Sequence, residues 1–397
     1  MASAYDLNLR HLRALAAIAD SGSVSHAARD CGMSQPALTQ ALAKLEVAFG
    51  LSLFTRTAAG VSPTTGGARV LHRVGRASAI LARSLRSAAN RTGKANPEAY
   101  LTMAHVRALV SFAEAGSFGR AAEVAGISVP AHHRALRDLE QLCGAALLEP
   151  LGRGLTLSRV GSKLARGFGL AIAELEAALE EGQPSERRLA IGAMALSRSL
   201  LLPAALAELT RQAPDVGIEV MEGSYFELVD FLRMGRIDVI VGALREHPPR
   251  DLQQDPLFEN RLTIIGRAGH PLAAQTADLD DLARYPWIVA RRASGLLERW
   301  QGMFDRASKP RPKAPIQCGS VALIRGLLVR SDFLTLLSPD QVEAELKGGS
   351  LIPIRSTLPD TMRTIGAISR RDWFPTPAQA QFMTILRAQC QIVAGGA

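Results

Sequence analysis

Five polar side chains between residues 35 and 56 have the chemistry to contact a nucleic acid: Gln35, Thr39, Gln40, Lys44 and Arg56. Gln and Thr can hydrogen-bond to base edges or phosphates in a major groove, and Lys and Arg carry charge that phosphates attract. On a helix, the first four lie on one polar side, because three or four residues make about one turn. Their types and spacing favour a helix that contacts DNA.

A helix-turn-helix would position these residues. Apolar residues at helical period over 12–19 predict a first helix, and Ser23 is a suitable N-cap for a short second helix. Gly32 ends that second helix, because a residue just past a helix end often needs a positive φ. Ser34 is placed to cap a third helix, in whose first turn Pro36 removes no hydrogen bond.

Behind the third helix, apolar and polar residues alternate around a glycine over residues 53–64, which predicts a short β-wing. A long helix follows, from about Gly67 to Asn90. The candidate DNA-contacting residues of this unit are Ser34, Gln35, Pro36, Ala37, Thr39, Gln40, Lys44 and Arg56.

The whole unit occurs twice, 94 residues apart. Residues 11–46 and 105–140 align without a gap and share 17 identities in 36 positions. In the second copy Val129 replaces Gln35, and a valine makes only apolar contacts with bases. The other differences on this side of the unit are His132, His133, Arg134, Asp138 and Pro150 in place of Leu38, Thr39, Gln40, Lys44 and Arg56.

These differences predict that the second copy has altered or lost base readout and serves as a packing or dimer module. Its two histidines, His132 and His133, are interpreted as surface residues of a degenerate copy. Contact of both histidines with phosphates is the alternative.

With these residues the chain resembles the LysR-type transcriptional regulators. The matching positions are residues 9–12, 22–23, 27–28, 34–39, 45–46, 53–56, Thr64 and Gly67. The resemblance continues into the C-terminal half, and it implies a cytoplasmic regulator that binds double-stranded DNA as a homodimer or homotetramer. Family members usually carry one such N-terminal domain, so the second copy is a departure.

The long helix behind each copy has its own charge. Residues 1–94 hold 12 basic and 4 acidic residues, whereas residues 95–186 hold 8 and 11. The arginines that share one face of the first helix are Arg69, Arg73, Arg76 and Arg83, and the acidic residues of the second helix are Glu174, Glu176, Glu180 and Glu181. Three arrangements stay open: both faces are solvated, the two helices pack together, or the basic helix lies along phosphates. The resemblance implies that the first helix forms a dimer.

From Arg188 onward, strands and helices alternate at lengths that predict a parallel α/β sheet with covered faces. The resemblance implies a two-lobed, periplasmic-binding-protein-like effector domain. The predicted domains are residues 1–66 (winged helix-turn-helix), 67–94 (basic linker helix), 101–160 (second helix-turn-helix), 161–183 (acidic linker helix) and 187–397 (effector domain, with lobe I at about 187–262 and 363–397 and lobe II at about 263–362).

On that mapping, an effector would bind between the lobes, at strand ends and helix N-termini. The candidate residues are Ala195, Ser197, Arg198 and Ala243 in lobe I, and Arg292, Ser294, Ser320 and Val321 in lobe II. Free N–H groups and arginines favour an anionic effector such as a carboxylate. Alternatively, each Ser is only a helix cap and each Arg a surface residue.

The sequence argues against a membrane protein, a secreted protein, a metalloprotein and an enzyme. There is no apolar run of membrane-spanning length, no secretion-signal pattern and no clustered set of His and Cys, so we expect no membrane partner, metal or cofactor. An enzyme is disfavoured because a phosphate loop and a nucleophile motif are both missing. A solute-sensing protein that uses its helix-turn-helix units for protein contacts is the remaining alternative.

Overall fold

The computed structural model describes residues 3–57, 60–90, 93–94, 96–152, 154–182, 187–194, 201–291, 295–357 and 361–395. The chain forms two compact units, Met1–Arg187 with Arg233–Arg236, and Arg188–Leu232 with Ile237–Ala397. We call them the tandem unit and the effector unit. Across the described residues, every helix is too short or too polar to cross a membrane.

The first half of the tandem unit is a winged helix-turn-helix with a long helix behind it. Its elements are α1 (Leu9–Ser21), α2 (Val24–Asp30), α3 (Gln35–Phe49), β1 (Phe54–Thr57), β2 (Gly60–Pro63) and α4 (Thr65–Ala88). The predicted caps are present: Ser23 Oγ accepts a hydrogen bond from the His26 amide and Ser34 Oγ one from the Ala37 amide, each at 3.3 Å. Gly32 has the predicted positive φ, +59°.

The second half repeats this order. Its elements are α5 (Met103–Ala115), α6 (Phe118–Ala125), α7 (Val129–Cys143), β3 (Leu148–Leu151), β4 (Gly154–Leu157) and α8 (Arg159–Glu180). Even single hydrogen bonds recur: Glu46 Oε1 accepts from the Leu53 amide and, 94 residues later, Glu140 Oε1 accepts from the Leu147 amide, both at 2.8 Å. The duplication is therefore one of structure as well as sequence.

The two long helices pack against each other in antiparallel orientation. Arg69 at the start of α4 pairs with Glu181 just after α8, and Ser87 near the end of α4 contacts Lys163 near the start of α8. The apolar faces of α4 and α8 are buried in one core that both copies share. Of the three arrangements that the charges left open, the packing of the basic helix beside the acidic helix is present.

The interpretation of His132 as a surface residue is wrong. His132 occupies the position of the core residue Leu38 and is fully buried. Its Nε2 lies 3.0 Å from Ser111 Oγ, and the Phe118 ring meets its edge at 5.5 Å. His133 is half-buried and stacks on Phe118 at 3.5 Å. The second copy thus buries a histidine whose Nε2 faces a hydroxyl and whose ring packs on Phe118.

Replacing His132 with leucine is expected to stabilise the tandem unit increasingly as the pH falls. Burial lowers the pKa of His132 below its ordinary value of 6.5. Below pH 6.5 the His132 imidazole is therefore protonated in the unfolded chain but still neutral in the folded chain. The free energy of unfolding of the wild type falls there as the pH is lowered. The variant's advantage in the free energy of unfolding should grow by up to about 1.4 kcal/mol per pH unit in that window.

Denaturant unfolding between pH 7.5 and 5.5, followed by helical circular dichroism, measures this difference. The Ser111 hydroxyl still donates to the Arg107 carbonyl at 2.7 Å in the variant, so the substitution leaves no orphaned donor there. His247→Gln, at an exposed histidine of the effector unit, is the control. An advantage that does not vary with pH would contradict the prediction.

The effector unit contains a mixed sheet with helices on its faces. Its strands are β5 (Arg188–Ala193), β6 (Gly217–Glu222), β7 (Val239–Ala243), β8 (Leu252–Arg267), β9 (Trp287–Val289), β10 (Ile316–Gln317), β11 (Leu334–Leu337), β12 (Leu351–Pro353) and β13 (Thr361–Arg370). Its helices are α9 (Leu201–Gln212), α10 (Tyr225–Arg233), α11 (Leu279–Ala283), α12 (Gly295–Asp305), α13 (Val321–Leu328), α14 (Glu343–Lys347) and α15 (Pro377–Gly395).

Two lobes share this sheet. The strand order is β10-β9-β11-β8-β13-β7-β5-β6, with β12 also beside β8. Strands β5, β6 and β7 are parallel, as predicted, and so are β9, β10 and β11. Strand β8 pairs with β13 over residues 252–262 and with β11 and β12 over residues 263–267, so it passes from one lobe into the other.

The first ten residues of β8 were not predicted. Residues 252–261 are mostly polar and include Pro256, a residue that usually marks a strand edge or bulge. The ladder with β13 tolerates it at a register shift between Ile365 and Gly366. Residues 252–261 form a strand because they pair with β13, which is distant in the sequence. The local pattern of apolar and polar residues cannot predict such a pairing.

Candidate DNA interface and effector cleft

Helix α3 is the helix of the first copy that is predicted to contact DNA. Its buried side consists of Leu38, Ala41, Leu45 and Phe49, which leaves its N-terminal polar side exposed. Gln35, Pro36, Thr39 and Gln40 line one open surface groove together with Ala43. Side chains at the start of a recognition helix are those that reach base edges in the helix-turn-helix architecture.

The remaining predicted DNA-contacting residues lie at the N-cap of α3, along α3 and on the wing of the same copy. Ser34 is the N-cap of α3, and Ala37 is exposed in its first turn. Lys44 is exposed farther along α3, and Arg56 is exposed on strand β1 of the wing. The Thr39 hydroxyl donates to the Gln35 carbonyl at 3.0 Å, which leaves its oxygen to accept from a ligand.

Hydrogen bonds to backbone carbonyls hold the wing and the turn in place. The Val61 amide on β2 donates to the Gly22 carbonyl at 2.9 Å, so the wing is attached to the end of α1. Arg10 on α1 donates to the Gly32 carbonyl at 2.8 Å, at the turn that leads into α3. These bonds fix the entry of the recognition helix without using its exposed side chains.

The corresponding surface of the second copy is more apolar. Val129 at the start of α7 is 40% exposed and Leu151 in the wing is 67% exposed, where the first copy has Gln35 and Thr57. Pro150 takes the place of Arg56. Arg134, which replaces Gln40, is exposed and can contact phosphates. At the matched positions the second copy gains Arg134, but it loses the amide of Gln35 and the positive charges of Lys44 and Arg56, which Asp138 and Pro150 replace.

A buried ion-pair network joins α4 to α8. Arg73 is 1% exposed, and its Nε donates to Glu181 at 2.9 Å. Arg76 donates twice to Glu174, at 2.8 and 3.1 Å. Burial works to raise the pKa of Glu181, but hydrogen bonds and charge from Arg69 and Arg73 outweigh it, and the net pKa is lowered. Glu181 is therefore an anion in the folded protein at neutral pH.

The predicted effector residues are only partly described. Ala243 is half-buried at the end of β7, Ser320 is the N-cap of α13, and Val321 begins that helix. Ser320 Oγ accepts from the Leu323 amide at 3.4 Å, so its hydroxyl acts as a cap. The other five predicted residues lie outside the described part of the chain: Ala195, Ser197, Arg198, Arg292 and Ser294.

Arg245 links the two lobes and is not among the residues predicted from the sequence. It follows the end of β7 in lobe I, and its Nη1 lies 3.8 Å from Glu298 Oε2 on α12 of lobe II. Its guanidinium also lies over the Tyr225 ring, 4.8 Å from the centroid. The Gln254 side chain holds its backbone through two bonds, at 2.9 and 2.8 Å. The available signal was its position, two residues past a buried strand.

The N-terminus of helix α10 already has a negative charge beside it, the carboxylate of Glu227. The Ser224 amide and hydroxyl donate to Glu227 at 2.9 and 2.6 Å, just before and within α10. These bonds lower the pKa of Glu227, so its carboxylate stays charged.

A buried polar cluster lies where the chain passes between the lobes. Asn260 on β8 donates to Ser338 Oγ and to Asp340, both at 3.0 Å, and accepts from Arg363 on β13 at 3.3 Å. Burial lowers the pKa of Arg363 to about 10. The described residues contain no group of His, Cys, Asp and Glu placed to hold a metal ion.

Comparisons with known families match both units. The bacterial regulatory helix-turn-helix of the lysR family matches twice, at residues 9–68 and 103–162. The LysR substrate binding domain matches residues 182–391.

Relatives match over most of the chain. The HTH-type transcriptional regulator GalR of Pseudomonas putida is 32% identical over 387 residues, which cover 96% of this chain and 96% of that protein. The regulator PcaQ of Agrobacterium fabrum is 26% identical over 289 residues, which cover 71% of this chain and 93% of its own length.

Solved structures show the same fold. A full-length OxyR variant from Pseudomonas aeruginosa has a TM-score of 0.56 at 22% identity, covering 72% of this chain and 97% of that one. ArgP from Mycobacterium tuberculosis has a TM-score of 0.58 at 19% identity, covering 72% and 96%. With both units matched and GalR similar along nearly the whole length, the chain belongs to the LysR family of transcriptional regulators, and it carries two copies of the family's DNA-binding domain.

Proposed function

We propose that this regulator reads a specific DNA sequence through α3 of the first copy, under control of a small anionic effector bound in the effector unit. The observation that carries the first part is the exposed row formed by Gln35, Thr39 and Gln40, held clear of the core at the start of α3. Its place of action is the compartment that holds the DNA, the bacterial cytoplasm.

Genome-wide selection of DNA fragments by the purified chain tests sequence reading. A discrete enriched element, bound with nanomolar affinity at physiological salt, is the expected result. Weak binding that follows ionic strength and prefers no element would contradict it, and would favour the solute-sensing alternative. The genes beside the element would indicate which compounds to test as effectors.

The effector class follows from the charge at the cleft. Arg245 faces the opposite lobe and has only a weak competitor, because Glu298 is 67% exposed and an exposed ion pair contributes little. A carboxylate between the lobes can therefore displace Glu298 and bind the guanidinium. Such a ligand touches both lobes, so it would favour the conformation in which they are closed.

Arg245→Ala is expected to weaken carboxylate binding by about 10- to 100-fold, the usual effect of losing one charge-assisted hydrogen bond. The probes are a panel of aromatic and aliphatic carboxylates, with their amides as uncharged counterparts. Tryptophan fluorescence gives the melting temperature of the effector unit, which contains all three tryptophans, at positions 287, 300 and 373. A bound carboxylate raises that temperature.

Arg250→Ala is the matched control, since this arginine is exposed on the same connection after β7. It should leave carboxylate binding unchanged. Stabilisation by the amides alone, or full carboxylate binding by the Arg245 variant, would contradict the proposed site.

A further inference from the structure

The packing of the two copies follows an approximate twofold axis. Lys163 is the repeat equivalent of Arg69, and Glu181 is the equivalent of Ser87, because each pair is 94 residues apart. The contact of Arg69 with Glu181 and the contact of Ser87 with Lys163 are therefore the same contact made twice. A contact that recurs with the partners exchanged is the signature of a twofold interface.

A second pair of contacts follows this relation approximately, because the two arginines are 94 residues apart and their partners 92. Arg13 Nη2 on α1 donates to the Glu98 carbonyl at 2.7 Å, in the short 3₁₀ turn that precedes α5. Its equivalent Arg107 on α5 donates to Asp6 at 3.4 Å, in the 3₁₀ turn that precedes α1. An arginine of each copy thus binds the 3₁₀ turn that precedes the first helix of the other copy.

This arrangement covers the apolar face of α4 within the chain. The seam residues of α4 are each at most 7% exposed: Val70, Val74, Ala77, Ile80, Leu81, Leu85 and Ala88. They share one core with the seam of α8. A second chain could reach this face only by first separating α4 from α8, which would expose that core and the buried Arg73.

We infer that a single chain is a complete DNA-binding unit with two DNA-binding copies. The first copy reads the base sequence, and the second binds DNA without reading it. The inference rests on the proposed function, since it assumes that α3 reads DNA. Its consequence concerns the operator. One half-site, under α3, is specified by sequence, and the adjoining half-site, under α7, is held only through its backbone by residues such as Arg134.

Crosslinking tests the pairing in the full chain. Ser87 and Lys163 are exposed, with Lys163 Nζ 2.6 Å from Ser87 Oγ, so cysteines at both positions lie within reach of a short bismaleimide. The Ser87→Cys/Lys163→Cys variant should give a crosslinked 87–163 peptide in a product of monomer mass. A mixture of the two single variants, refolded together, should give no covalent dimer joined at these positions.

The wild type, with its four native cysteines, is the background control. A covalent dimer joined at 87 and 163 in the mixture would overturn the inference, because it would show that α4 pairs with α8 of another chain. This result does not depend on DNA, so it separates failure of the pairing from failure of the proposed function.

Substitution of the selected operator tests the asymmetry. Changing base pairs of the specified half-site should weaken binding about 10-fold or more for each pair that α3 contacts. Changing the sequence of the adjoining half-site should cost less than about threefold, because backbone contacts are insensitive to base identity. Equal sensitivity of the two adjoining half-sites under one chain would overturn the assignment of one sequence-reading copy per chain.

Discussion

Gln35→Ala is expected to lower the affinity for the selected operator by about 5- to 100-fold, the range for losing one good side-chain contact with a base. Gln35 is exposed at the start of α3, next to Pro36 and Thr39 in the open groove. Its amide can donate and accept at once, which alanine cannot. Affinity for unrelated DNA should stay nearly constant, so the loss is one of specificity, seen as a reduced ratio of specific to nonspecific binding in fluorescence anisotropy.

The duplication supplies the matched control. Val129→Ala makes the equivalent truncation at the start of α7, where the wild-type side chain cannot hydrogen-bond to a base edge. This variant should change operator affinity by less than about threefold, within the range of a single lost apolar contact. Equal losses from both variants would show that both copies read DNA, and no loss from Gln35→Ala would remove α3 from the interface.

The local elements of the tandem unit could be predicted because their signals are local. Ser23, Ser34 and Gly32 act through hydrogen bonds or φ values within a few residues, and the structure has each of them in its predicted role. The same holds for the parallel strands β5 and β7 of the effector unit, which are short, mostly buried and bounded by helices.

What the sequence could not supply was the choice among long-range partners. Arg73 and Glu174 were both recognised as charged residues on helices, but charge alone is compatible with solvent, DNA or another helix. His132 shows the same limit, because a histidine at a core position is buried only if a partner such as Ser111 faces it. Arg245 could not be assigned to the cleft until the opposite lobe brought Glu298 near it.

Breaking the buried network between α4 and α8 should destabilise the tandem unit more than breaking an exposed ion pair. Glu181→Gln keeps the side-chain volume and removes the charge that faces Arg69 and Arg73, so the cost is electrostatic rather than a cavity. Glu181 and Arg73 have side chains only 5% and 1% exposed. Breaking such a buried pair should lower the free energy of unfolding by about 3 kcal/mol at pH 7. Glu98→Gln, which breaks the exposed pair with Arg86, should cost less than about 1 kcal/mol.

The pH dependence of that loss identifies its origin. Since the folded pKa of Glu181 lies below its ordinary value of 4.5, its charge stabilises the fold above pH 4.5, and that contribution is lost as the pH falls through the folded pKa. The difference between wild type and Glu181→Gln should therefore be constant from pH 7 to about 5 and shrink below 4.5. Circular dichroism of the helices reports both units, while tryptophan fluorescence follows the effector unit alone and should not change with the substitution. A change confined to the circular dichroism transition therefore belongs to the tandem unit. A difference that persists unchanged into acid would show that Glu181 acts through packing rather than charge.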